Sequence, residues 1–137
     1  MVRFTKNMET GIKEIDDQHK MLMDKINSVL DAKAQAQKST KNQLYDMLII
    51  FFDSAKDHFK YEEQLMEFSF YPDLEVHKAT HDIFSVRFDE FLREYQRSPK
   101  SPNILLRIND SVGKDLADHI HHHDKPFAIY YNDKLTS

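Results

Sequence analysis

The sequence predicts an all-α fold, an up-down-up-down four-helix bundle with an N-terminal lead-in and a short C-terminal tail. Three observations lead there. The 137-residue chain holds only 2 Gly and 4 Pro, too few for a turn-rich β fold. Four stretches repeat apolar residues at spacings of three and four, the period of one helix face. Short polar segments separate those stretches, which favours antiparallel neighbours.

The elements follow in order. Residues 1–11 read as an irregular lead-in ending at Gly11. Ile12, Ile15, His19, Leu22, Ile26, Val29 and Leu30 then mark a helix over about 15–36. Thr40 and Gln43 have the spacing of a capping box for a second helix, about 41–67. Its inward face carries Leu44, Leu48, Phe51, Ala55, His58, Phe59, Glu62 and Met66. Pro72 suits the first turn of a third helix, about 72–97, where its missing N–H costs nothing. That helix shows Leu74, His77, His81, Phe84, Phe88, Phe91 and Tyr95. Ser101 as cap and Pro102 as first residue start a fourth helix, about 102–122, with Leu105, Ile108, Val112, Leu116, His119 and Ile120 on one face. The tail to Ser137 is apolar enough to dock, but its shape is not legible. No repeat or second domain is visible, so residues 1–137 read as one domain.

Composition narrows the function. No cysteine means no disulfide, thiolate zinc site or iron–sulfur cluster. No apolar run is long enough to span a bilayer, and the N-terminus lacks a signal-peptide core, so a cytoplasmic location is expected. A net charge of −4 without a long basic block argues against nucleic acid. Histidine is the outlier, with eight residues, seven of them from His58 onward.

One histidine on an apolar face is more often a hydrogen-bonded core residue than a ligand. Here His19, His58, Glu62, His77, His81 and His119 all fall on the inward stripes of four helices. The pairs His58/Glu62 and His77/His81 are each four residues apart, which stacks both side chains on one face. A buried glutamate is rare unless it is paired or bound to metal. A shared metal site explains the six together. With Asp124 there are seven side chains, more than one ion takes, and two ions bridged by the carboxylates fit the number. Five imidazoles and two carboxylates suit divalent iron, with other first-row metals open. There is no ExxH and no HExxH, which sets the chain apart from ferritin-like oxidases and zinc proteases.

The segments GIKEIDDQHK, HFKYEEQLM, YPDLEVHKATH and HIHHHD resemble the hemerythrin family, specifically its bacterial hemerythrin-like proteins, from Gly11 to about Pro126. The resemblance implies two iron ions with an oxo or hydroxo bridge. His77, His81 and His119 would hold one iron and His19 and His58 the other, with Glu62 and Asp124 bridging. The second iron is then one ligand short, and the family binds dioxygen there, reversibly, as a hydroperoxide. Family spacing selects His119 with Asp124; His123 is the runner-up, and His121 and His122 are expected to face elsewhere.

Phe59, Leu116 and Ile120 match apolar positions lining the family's oxygen pocket. Asp115 departs from the pattern, standing where the family usually has tryptophan, and Phe4 stands where the lead-in often has one. Either Asp115 reaches solvent, or it wets the pocket and speeds autoxidation. Reversible dioxygen binding for storage, delivery or sensing is the expected function, more than an enzyme. The alternatives are a redox enzyme acting on peroxide, nitric oxide or a similar small oxidant, and an iron store. Sensing would need a separate signalling partner. The oligomeric state stays open, with a monomer as the expectation.

Overall fold

The computed structural model describes residues 1–34, 41–99 and 103–136. Among the described residues five helices run in order: α1 (Lys13–Ala34), α2 (Lys41–Phe68), α3 (Leu74–Arg97), α4 (Ile104–His119) and α5 (Lys125–Thr136). A 3₁₀ turn at Lys6–Met8 precedes them, and a π turn at Ile120–Asp124 joins α4 to α5. Helices α1 to α4 form the all-α four-helix bundle. Each packs on its neighbour in sequence, and α4 closes the ring onto α1 more tightly than onto α3. Among the described residues no helix is long and apolar enough to cross a membrane.

Helix α1 starts two residues before Ile15 because the lead-in folds back over its first turn. The buried Asp16 carboxylate accepts from the Thr10 N–H (2.9 Å), the Thr10 hydroxyl (2.8 Å) and the Gly11 N–H (3.3 Å). Gly11 has φ +84, which suits a residue without Cβ. An acid so near a helix N-terminus also complements the helix dipole.

Helix α2 ends in a Schellman motif. The Tyr71 N–H reaches the Met66 carbonyl (2.9 Å) and the Phe70 N–H reaches that of Glu67 (3.2 Å). Phe70 sits at φ +56, where glycine is the usual choice. This turn runs through Pro72 and Asp73, so α3 begins at Leu74 and Pro72 lies just outside it rather than at its first position. The Thr40 half of the capping box, Ser101 and Pro102 lie outside the described residues; α4 opens behind Asn103, at φ +64.

The main core fills the half of the bundle away from the α2–α3 turn. Leu22, Ile26, Phe51, Phe88, Ile108 and Val112 are among its buried members. Each such side chain stabilises the fold by about 1.5–3 kcal/mol relative to exposure. A smaller cluster of Ile15, Met66 and Phe127 closes the other end. Phe127 belongs to α5, so the tail is a helix that plugs the bundle. The Tyr130 hydroxyl anchors it, 2.5 Å from the Ser69 carbonyl and 2.9 Å from that of Phe70. Between the two apolar clusters lies a layer of buried histidine and carboxylate.

Candidate metal centre

Each helix delivers its polar residues to that layer by the same periodicity that builds the core. Helix α1 brings His19, α2 brings His58 and Glu62, and α3 brings His77 and His81. All five are buried. The last two, His119 and Asp124, need a different device. Five residues along an α-helix turn the side chains roughly 140° apart at about 100° per residue. The π turn removes that offset by stacking residues five apart. The Lys125 N–H reaches back to the Ile120 carbonyl, five residues earlier. Pro126 gives a reason for the wide turn, since its ring would clash with the His122 carbonyl in a regular helix. His119 and Asp124 thus end on one side, with Asp124 fully buried.

The seven side chains form two groups within ligand reach of one another. Glu62, His77, His81 and His119 make one; His19, His58, Glu62 and Asp124 make the other. Glu62 belongs to both, its Oε1 lying 3.1 Å from His58 Nε2 and 3.4 Å from His81 Nε2. Asp124 also faces both ways. Its Oδ2 is 2.9 Å from His19 Nε2, while Oδ1 is 3.1 Å from His77 Nε2 and 2.9 Å from His119 Nε2.

These contacts are close but lack hydrogen-bond geometry. Both oxygens of Glu62, both of Asp124, and Nε2 of His19, His58 and His77 are buried without a hydrogen-bond partner. Such a collection is costly in a protein interior. His81 Nε2 and His119 Nε2 face each other at 3.1 Å, as two bases do around a shared cation. The opposite ring nitrogens are engaged. His81 Nδ1 donates to Glu63 Oε2 (2.7 Å), His58 Nδ1 to Gln18 Oε1 (2.5 Å) and His119 Nδ1 to the Thr80 hydroxyl (3.2 Å). Thr80 gives its own proton to the His77 carbonyl (2.7 Å), so towards His119 it acts as acceptor. Each arrangement leaves Nε2 pointed inward, the orientation a metal needs from imidazole. The donor set fits metal ions.

Electrostatics point the same way. Burial works against charge on Glu62, yet the attraction of His58 and contacts with His119, His58 and His77 hold its carboxyl well below the usual range. Burial and the nearby Glu62 likewise oppose charge on Asp124, but His119 and His19 bring its carboxyl down. Burial opposes a charge on His119, and Asp124 and Glu62 overcome it, raising the imidazole to about 10. The same balance raises His77. The pocket is thus anionic enough to hold cations, as protons or as metal ions.

A cavity of about 280 Å³ opens between α3 and α4 and touches His81 and His119. It touches neither His19 nor His58. Phe59 forms its inner wall, stacked on His81 at 4.1 Å between ring centroids and 5.9 Å from His58. Leu116 and Asp115 line it too. Ile120 does not: it is buried where the π turn begins, away from the cavity. Asp115 is neither a free solvated acid nor a bare charge in the pocket. It is four-fifths buried and paired with Arg87. His123, pushed down by burial and by His119 and His77, borders the cavity outside both donor groups.

Arg87, Gln18, Glu63 and Thr80 carry no mark in the sequence. None breaks its helix's polar pattern, and no spacing marks it. The π turn did leave a signal, since a five-residue interval between two inward residues does not fit an α-helix.

Comparison with known proteins agrees with this geometry. The family profile described as the hemerythrin HHE cation binding domain matches residues 10–128. A bacteriohemerythrin of Stenotrophomonas maltophilia (strain R551-3) is 27% identical over 122 residues, covering 89% of this chain and 76% of that protein. One from Pseudomonas aeruginosa (strain LESB58) is 32% identical over 90 residues, 66% of this chain and 57% of that protein. A third, from Aquifex aeolicus (strain VF5), is 26% identical over 136 residues, 97% and 99% of the two chains. The family match begins before His19 and ends beyond Asp124, so every inward donor lies within it. The chain belongs to the hemerythrin family, whose members bind a di-iron centre.

Proposed function

We propose that this protein binds dioxygen reversibly at a di-iron centre, as a single cytoplasmic domain serving storage, delivery or sensing. One observation carries the reading. Buried, unpartnered donor atoms from α1, α2, α3 and the π turn converge in two groups that share Glu62. His77, His81 and His119 would hold one ion and His19 and His58 the other, with Glu62 and Asp124 shared between them. Two ferrous ions bound there would supply the electrons for reversible dioxygen binding.

The chain's own residues decide whether that exchange stays reversible. Phe59 and Leu116 keep the approach apolar and exclude water from the donors. Phe59 stands between the cavity and His58, so a small ligand bound for the His19/His58 side must pass its ring. Glu63, Gln18 and Thr80 accept the Nδ1 protons of His81, His58 and His119, which turns the Nε2 side of those three rings towards the metal positions.

The test is an anaerobic titration with two ferrous ions per chain, followed by air. A visible absorption band that appears with air and vanishes on deoxygenation supports carriage. Irreversible oxidation to a diferric spectrum overturns it.

The redox-enzyme reading has its own support. The Arg87–Asp115 pair places polar, hydrogen-bonding groups on the cavity wall. Steady consumption of peroxide or nitric oxide with a reductant would favour it.

A further inference from the structure

We infer that Glu63 is a positioning residue that makes the two metal positions unequal, so that the His77/His81/His119 position fills first and holds its ion more tightly. The inference rests on the di-iron reading above.

The two groups differ in what stands behind their imidazoles. His81 donates its Nδ1 proton to a carboxylate, Glu63, at 2.7 Å. Glu63 is 28% exposed, so water reaches it and it escapes the full cost of burial. A carboxylate behind an imidazole raises the basicity of the far nitrogen and locks the ring. His119, in the same group, is also anchored, through Thr80. On the other side His58 leans on Gln18, a neutral amide that orients the ring without adding charge. His19 has no such anchor: both of its ring nitrogens are buried without a hydrogen-bond partner. One position therefore combines three imidazoles, two of them anchored and one carboxylate-backed. The other combines two, one of them held only by packing.

Glu63 itself lies outside both donor groups and acts only through His81. Glu63→Gln keeps an acceptor of the same size and removes the charge. Gln18→Glu adds the missing charge behind His58. The two substitutions form a reciprocal pair.

The experiment is a titration of the metal-free protein with cobalt(II), following visible absorption and heat, in the parent and both variants. The parent should take up two ions in two resolved steps. Glu63→Gln should weaken the first step about tenfold or more and leave the second nearly unchanged. Gln18→Glu should tighten the second step and draw the two together. Circular dichroism of the metal-free variants reports folding; if Glu63→Gln does not fold, the Gln18→Glu arm decides alone. Two equal steps in the parent, or a Glu63→Gln variant with its first step intact, overturn the inference and leave the two-ion reading standing. Uptake of a single ion by the parent overturns both.

Discussion

Arg87 reaches from α3 to α4 and donates from one nitrogen to both oxygens of Asp115, at 2.6 and 2.7 Å, across the mouth of the cavity beside His119. Arg87 is half exposed and Asp115 is 20% exposed, so the pair is partly screened and is worth no more than about 1 kcal/mol to stability. Its position matters more than its strength. It lines the passage where the family resemblance leads one to expect tryptophan. Asp115→Phe or Asp115→Trp should dry the mouth and slow autoxidation of the oxygenated protein. A barrier change of about 1 kcal/mol corresponds to roughly fivefold in rate. The decay of the oxygenated spectrum in air measures it. Variants that decay as fast as the parent would remove Asp115 from the account.

Removing the metal should cost stability. Without ions, Glu62 and Asp124 stay charged in a fully buried layer with their oxygens unpartnered. Ligand linkage gives about 2.7 kcal/mol for each ion present at a hundred times its dissociation constant. Two ions then raise the thermal midpoint by on the order of 10–20 °C in a domain of this size. Calorimetry of the metal-free and iron-loaded protein is the comparison. Equal midpoints would mean that the layer is stable without metal and that the assignment of these residues is wrong.

Much of this site is written in the sequence because burial and helical period act on every residue of a helix face alike. His58 and Glu62 fall in register with Phe51, Ala55 and Met66, so the pattern that locates the core also locates the ligands. What the sequence hides is whatever depends on a partner in three dimensions. Asp115 stands out by its position, but Arg87, 28 residues away, looks like an ordinary surface charge and nothing pairs the two. Gln18 and His58 are 40 apart. The C-terminal helix is hidden for another reason. Pro126 reads as a stop, yet the π turn lets the chain continue past it, and Phe127 then plugs the bundle.

Phe59 should govern passage from the cavity to the His58 side. Its ring contacts those of His58, His81 and His119, with centroids 5.9, 4.1 and 6.2 Å away. Phe59→Ala would join the cavity to the deeper donors. It should speed both oxygen binding and autoxidation, at a cost of about 3–5 kcal/mol in stability. Phe59→Leu keeps most of the bulk and should show a smaller version of both effects. Stopped-flow mixing of the ferrous protein with oxygen provides the rates. Unchanged binding rates in both variants would show that oxygen enters by another path.

The four histidines of His119–His123 should separate sharply on substitution. His119 Nε2 lies 3.1 Å from His81 Nε2 and 2.9 Å from Asp124 Oδ1, inside a donor group. His123 lies only at ring-to-ring distance from that group, 5.4 Å from His119 and 5.8 Å from His77. His121 and His122 are exposed. The π turn makes the choice, because it stacks residue 124 on residue 119 and leaves 121 to 123 around the outside. His119→Ala should lower iron from two ions per chain towards one and abolish the oxygenated spectrum. His121→Ala and His122→Ala should retain two ions. His123→Ala should also retain two, and both His122→Ala and His123→Ala should change the rate of access because both residues border the cavity. Elemental analysis after desalting reads the stoichiometry. If His123→Ala loses an ion and His119→Ala does not, the inward register belongs to residue 123, and the π turn does not survive metal binding.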